Sequence, residues 1–369
     1  MSLKCGIVGL PNVGKSTIFN ALTAAGAPMA NYPFCTIEPN VGVVTVPDSR
    51  LELLAKFAKS EKILPTVMEF LDIAGLVAGA SKGEGLGNQF LGHIRQVDAI
   101  AHVVRCFEGG DITHVHGQVD PETDVGVIDT ELMLADLVSV EKKRDGVIKK
   151  ARIGDKEAKL QAPVLEKVAT GLQNGEPVRR LGLSPEELAV VGELFLLTAK
   201  PLLYVCNVSE EEIGAAQTPG NHRLTDAVRA MAEQDGAQVV VVCGSIEAEI
   251  AELEAEEKAA FLEDLSLSEP GLNRLIRAAY ELLGLLTFFT AGPKEARAWT
   301  VEKGSSAYDA AGAIHTDFQK GFIRAEVIAF SDFVEYKGEQ GAREVGRMRL
   351  EGRDYPVLDG DVMHFRFNV

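Results

Sequence analysis

Gly9-Leu10-Pro11-Asn12-Val13-Gly14-Lys15-Ser16 decides the fold class of this chain. The stretch fits a glycine, four free positions and then Gly-Lys-Ser, and it stands between an apolar run, residues 3–9, and a helical pattern that begins at Ser16. In that setting the loop N–H groups and the helix N-terminus form a concave positive site for phosphate. Lys15 can reach the β and γ phosphates, and the Ser16 hydroxyl can complete a Mg2+ shell. Working outward, Ile18, Ala21, Leu22 and Ala25 share one face of the helix, which is expected to end at Gly26.

Apolar runs and helical patterns then alternate, with strand signals at residues 41–46, 66–71 and 99–106. This predicts an α/β fold, a mainly parallel sheet with crossover helices. After Val119 the strand signal stops until Pro201. Ile128, Leu132, Ala135 and Val138 make one helical stripe, Gly154-Asp155 reads as the turn of a helical hairpin, and Pro163 must start or kink the returning helix. Ser184-Pro185-Glu186-Glu187 supplies an N-cap, a first-turn proline and a capping-box acid. Strand patterns resume at 202–206 and 239–243. The expected plan is therefore a P-loop NTPase domain over 1–120 and 201–284, interrupted by a helical, coiled-coil-like arm over 121–200. The acidic stretch 247–264 reads most simply as a solvated helix face and loop. From Leu285, short strands at 285–289, 297–301, 323–329 and 362–367, with a helix near 307–318, predict a small mixed module over 285–369.

Composition narrows the function classes. The chain is 46% hydrophobic and 25% charged, near the globular average, which sets aside disordered, collagenous and disulfide-scaffold classes. No apolar run approaches the ~18 residues of a membrane helix, and the glycine loop is reached before a signal-peptide apolar region could develop. No membrane partner is expected. Thirty-seven Lys and Arg against 54 Asp and Glu give a net charge of −17, which disfavours DNA and requires any RNA contact to use a local basic patch. The five cysteines, Cys5, Cys35, Cys106, Cys206 and Cys243, are odd in number and form no CxxC pair, as suits a reducing cytoplasm. Four lie in strand-like runs; Cys35 alone reads as exposed, either an inert small residue or a redox-sensitive one.

Leu71-Asp72-Ile73-Ala74-Gly75 ends the third strand with DxxG, which places the Asp72 carboxylate to hold Mg2+ through water and the Gly75 N–H to sense the γ phosphate. Thr36, between the first helix and the second strand, is the expected second Mg2+ ligand. The guanine-reading Asn-Lys-x-Asp is replaced by Asn207-Val208-Ser209-Glu210. Glutamate is one methylene longer than aspartate, and Val208 stands where a lysine stem would pack on the base, so the paired guanine contact is misplaced and adenine fits better. Asn207 and the Val208 backbone could read its amino edge, with Phe107 a candidate for packing on the ring. Leu76 follows Gly75 where Ras-like enzymes have the water-orienting glutamine, so another residue must supply that function. His114 and His116 are loop candidates for it, against the plainer reading of solvated histidines.

GLPNVGKST, NYPFCTIEPN, DIAGLVAGASKGEGLGNQFL and NVSE together resemble the Obg-like translation-factor NTPases in their ATP-preferring branch, the YchF family, and the resemblance runs over all 369 residues. It implies a nucleotide domain interrupted by a helical arm and a C-terminal β-grasp (TGS) module, whose signature residues 315–322 resemble. It also implies slow cytoplasmic ATPase activity and binding to the ribosome, chiefly the large subunit and its rRNA, with tRNA a further expected partner of the TGS module. The resemblance carries residues Asn12, Val13, Gly14, Lys15, Ser16 and Thr17 to phosphate, Ser16 and Thr36 to Mg2+, and Asn207 with Val208 to adenine. It assigns His114 the water-positioning role and Cys35 a redox role. Lys142, Lys143, Arg144, Lys149, Lys150, Arg152, Lys156 and Lys159 give the arm a basic tip, and Arg343, Arg347, Arg349 and Arg353 form a second patch; each suits rRNA phosphates or is a solvated face. The competing readings are an ordinary Obg-type GTPase and an RNA-binding scaffold with a near-inactive nucleotide site.

Overall fold

The computed structural model describes residues 3–24, 40–73, 86–109, 119–265 and 267–368. The chain forms two compact units, Met1–Val43 with Glu69–Ala279, and Val44–Met68 with Tyr280–Val369. Strands in chain order are β1 (Lys4–Val8), β2 (Val41–Thr45), β3 (Lys62–Leu64), β4 (Val67–Asp72), β5 (Ala99–Arg105), β6 (Leu202–Asn207) and β7 (Gln238–Val242), followed by β8 (Leu285–Ala291), β9 (Glu295–Glu302), β10 (Phe322–Ala329), β11 (Arg349–Glu351) and β12 (Asp361–Phe367). Among the described residues no helix is long and apolar enough to cross a membrane.

The first unit is built on a sheet ordered β2-β4-β1-β5-β6-β7. The pairs β1/β4, β1/β5, β5/β6 and β6/β7 are parallel. Every residue of β5 and β6 is buried, the pattern of central strands covered on both faces. From β1 the chain runs to β2 on one side, and from β4 it crosses to β5 on the other. The order therefore reverses between β1 and β5, and a crevice at the carboxyl ends of such strands is where open α/β sheets bind ligands.

The arm leaves after β5. Its first helix, Pro121–Arg152, starts at Asp120, which accepts the Glu122 N–H, and has proline in the first turn. Gly154 takes the left-handed φ of +100° that the turn needs, and Asp155 then caps the returning helix Lys156–Gln173. That helix begins seven residues ahead of Pro163, so the proline lies inside it rather than starting it. Ser184 and Glu187 form the expected capping box at helix Pro185–Gly192.

The predicted stripe needs one correction. Ile128, Leu132 and Ala135 are buried, but Val138 is 67% exposed and Val140 and Val147 are buried instead. Their partners are Leu165, Val168 and Leu172 of the returning helix, so the buried face turns as the packing partner changes.

The second unit holds a sheet ordered β11-β10-β12-β8-β9-β3. β8/β9, β10/β11 and β10/β12 are antiparallel, and β12/β8 and β3/β9 are parallel. Residues 44–68, which the sequence reading placed in the NTPase domain, belong here. Leu51, Leu54 and Ala55 of helix Ser49–Ala58 pack with Phe289, Ala298, Phe333 and Val362. Arg50 ties the segment down through Asp48 and, at 2.5 Å, Asp359. An amphipathic helix after a strand looks the same in sequence whichever sheet it covers, and β3 is too short and exposed to signal itself. The predicted helix near 307–318 is two helices, Ala307–Ile314 and Thr316–Lys320, with His315 ending the first and capping the second.

Candidate functional site

The phosphate loop spans the turn from β1 into helix Lys15–Ala24. Asn12 and Gly14 take left-handed backbone, φ +64° and +88°, and such alternation turns successive N–H groups towards one concave side. At Gly14 a Cβ would sit 2.1 Å from the Asn207 amide nitrogen, so no side chain fits there. Ile18 N–H closes the first helical turn on the Gly14 carbonyl at 3.0 Å, and the Ser16 and Thr17 side chains face solvent.

Lys15 is buried and ion-paired with Asp72. The β1/β4 register sets Asp72 opposite Ile7, two residues before Gly9, so the loop and the DxxG carboxylate lie side by side as the motif pair requires. Val13, on the other side of the loop, is held by Asn207, the last residue of β6. Its Nδ2 donates to the Val13 carbonyl at 2.9 Å, and its Oδ1 accepts the Gly244 N–H at 2.9 Å. Asn207 thus clamps the loop to the start of helix Gly244–Glu252. The sequence reading gave this amide to adenine; in the structure both of its ends hold backbone. Val208 is buried and its N–H donates to the Val242 carbonyl at 2.9 Å, while Glu210 is exposed.

Thr36, Cys35, Gly75, Leu76, His114 and His116 lie outside the described residues. Cys5, Cys106, Cys206 and Cys243 are buried free thiols, and burial raises the Cys5 thiol to about 12. The hydrogen bond with the Cys206 thiol, and then burial, hold Cys106 well above its ordinary value.

Three polar residues escaped the sequence reading. Arg105, the last residue of β5, is buried to 1% exposure and donates to the carbonyls of Phe107 and Gly109. His102 sits buried in mid-strand, its ring 5.7 Å from Tyr204, and burial, then Arg179, lowers its pKa to about 3. Glu247, expected on a solvated face, is 3% exposed and accepts the N–H groups of Gly271 and Leu272 at 2.7 and 3.3 Å, capping helix Gly271–Leu282. Burial raises its pKa. A lone charged residue at a strand end or in an acidic run carries no sequence mark of its burial.

The two basic patches fare differently. On the arm, Lys143 pairs with Glu193 at 3.1 Å and Arg144 with Glu166 at 3.6 Å, but Lys142, Lys149, Lys150, Arg152, Lys156 and Lys159 are exposed without an ion pair among the described residues. In the second unit, Arg343 pairs with Glu339 at 2.8 Å, Arg347 with Asp332 at 3.9 Å and Arg349 with Glu351 at 3.4 Å, and Arg353 lies over the Tyr308 ring at 4.0 Å. That patch is largely neutralised.

The family model described as 50S ribosome-binding GTPase matches residues 4–143, and the YchF-GTPase C-terminal model, described as a protein of unknown function, matches residues 285–368. The ribosome-binding ATPase YchF of Haemophilus ducreyi is 60% identical over 369 residues, all of both chains. Its namesakes in Escherichia coli O157:H7 and Bacillus subtilis are 58% and 55% identical over the same full lengths. The solved YchF GTPase of Schizosaccharomyces pombe is 38% identical and superposes with a TM-score of 0.87, over 99% of this chain and 98% of that one. With the phosphate loop, Asp72 and the Asn207 segment all at the carboxyl ends of the first sheet's inner strands and identity of this degree over the whole length, the chain belongs to the YchF family.

Proposed function

We propose that this protein is a cytoplasmic ATPase whose nucleotide cycle is coupled to ribosome binding. The observation that carries the reading is the buried Lys15, held against Asp72 at the mouth of a glycine loop that opens between the carboxyl ends of β1 and β5. An ammonium placed there serves a triphosphate: the N–H groups of residues 12–17 cradle the phosphates and Lys15 exchanges Asp72 for their β and γ oxygens. The relatives named ribosome-binding ATPase supply the partner.

The residues suit Mg2+. Ser16 offers an exposed hydroxyl and Asp72 a half-buried carboxylate, both hard oxygen donors, and no group of three or more His, Cys, Asp or Glu forms a metal cage among the described residues. That is the donor set of an ion held by one or two side chains plus phosphates and waters, with Thr36 as the further ligand. When bound, Mg2+ would neutralise negative charge on the phosphates. His114 orients the attacking water in place of the glutamine that Leu76 replaces.

Adenine is read at the end of β6, where the Val208 carbonyl accepts from its amino group and Phe107 packs on the ring. Asn207 acts on the base indirectly, by fixing the loop. The exposed lysines of the arm face rRNA phosphates of the large subunit, the TGS module provides a second contact that extends to tRNA, and Cys35 is the candidate redox residue.

The test is ATP turnover alone and with ribosomes, together with ribosome pelleting. Ribosome-stimulated hydrolysis that disappears in Lys15→Ala supports the reading. Absent turnover with ribosomes present would sink the ATPase. Pelleting that Lys15→Ala leaves unchanged, in a protein without turnover, would instead show a scaffold.

A further inference from the structure

Strand β5 reads Ala99-Ile-Ala-His-Val-Val-Arg, and it ends with the largest fully buried side chain of the described residues, Arg105. A guanidinium taken out of water needs its N–H groups satisfied. Arg105 donates from Nε to the Phe107 carbonyl at 3.3 Å and from Nη2 to the Gly109 carbonyl at 3.0 Å. Its Cζ also lies 4.4 Å from the centroid of the Phe107 ring. One planar group therefore fixes two carbonyls and one ring of the chain just as it leaves the sheet, and Gly109 accepts this path with φ +96°.

The place matters. Arg105 is the register partner of Asn207, and the Cys106 N–H donates to the Asn207 carbonyl at 2.8 Å. Phe107 consequently leaves β5 beside the point where Val208 leaves β6. The ring is half-buried, with the guanidinium covering one face.

We propose that Arg105 is a positioning residue for the nucleotide base: it holds the Phe107 ring as a fixed wall whose other face stacks on adenine. The proposal rests on the base reading given above. Arg105 does not touch the nucleotide. Its fork bonds the carbonyls while its Cζ stands over the ring, whereas a lysine ammonium reaches at most part of that set. A ring fixed before the ligand arrives loses less freedom on binding than one that must be ordered by it.

The test compares ATP with inorganic triphosphate, which has the phosphates and no base, in the full chain with Mg2+. Arg105→Gln is expected to weaken ATP by about tenfold, as loss of one base stack does, and to leave inorganic triphosphate unchanged. Arg105→Lys retains the buried charge and should fall on the side of Arg105→Gln; it serves as the readout if the glutamine variant melts early. Equal weakening of ATP and inorganic triphosphate would show a general structural role and overturn the proposal. Phe107→Ala separates the two levels: if it weakens ATP while both Arg105 variants leave ATP intact, the proposal fails alone. If Phe107→Ala leaves ATP affinity unchanged, the base reading fails and the proposal with it.

Discussion

Two cations of the first unit whose side chains are little exposed are answered in different ways. Lys15, at the phosphate loop, meets one carboxylate among the described residues, Asp72. Arg179, at the root of the arm, meets Asp129 at 2.5 Å and Asp235 at 3.1 Å, and Asp235 is bonded again by Arg180 and by the Tyr204 hydroxyl at 2.6 Å. The ammonium has three donors and a half-exposed loop of N–H groups around it; the guanidinium is closed in by acids on both sides. Unsaturated charge marks the place where an anion enters, and saturated charge marks the place where the fold is fastened. The same strand serves both ends, since β6 carries Tyr204 at the fastening and Asn207 at the loop.

The largest expected effect breaks the first member. Lys15→Ala should reduce ATP turnover by about a hundredfold or more, the scale of losing a preorganised charge on a transferring phosphoryl group, with little change in the melting temperature. Steady-state hydrolysis beside a thermal melt checks both halves.

Next comes the second member. Asp235→Asn leaves Arg179 and Arg180 facing a weakened partner and should destabilise the unit by about 3 kcal/mol, while ATP affinity measured well below the transition stays within twofold or so. Denaturant titration measures the first figure. A large loss of ATP affinity with intact stability would erase the distinction between the regions.

A smaller effect sharpens it through pH. His102 packs beside Tyr204, and burial, followed by the Arg179 charge, lowers its pKa from 6.5 to about 3, against a smaller upward pull from Asp235. Between those values the unfolded chain binds the proton and the folded chain does not. Stability from the neutral imidazole is therefore complete above pH 6.5 and falls as pH drops through that window, by about 1.4 kcal/mol per unit for this group. His102→Leu should flatten the acid limb of a stability profile by that slope. An unchanged limb would mean that the ring is protonated in the fold.

The legible parts of this molecule are those whose cause is local. The glycine loop announces itself because strand, turn and helix are consecutive, and β5 and β6 do so because burial on both faces writes an apolar run. Asn207 was read as an adenine contact, whereas its amide holds backbone at both ends, because its partner Val13 is 194 positions away and an asparagine's two ends look alike on paper. Arg105 and Glu247 were missed because a charged residue reads as solvated until the carbonyls and N–H groups that satisfy it are brought up by the fold. Val138 was misplaced because a helical stripe assumes one partner along its length, and the arm changes partner halfway. The assignment of residues 44–68 failed for a related reason: the amphipathic face of helix Ser49–Ala58 says that it is covered, not by what.

The central claim is that the end of β6 reads adenine while Asn207 holds the loop. Competition of unlabelled ATP and GTP against a fluorescent nucleotide, with Mg2+, tests it most directly. A preference for ATP of tenfold or more, about 1.4 kcal/mol, is the predicted result. A preference for GTP would contradict the base reading and make the protein a GTPase of the ordinary Obg kind.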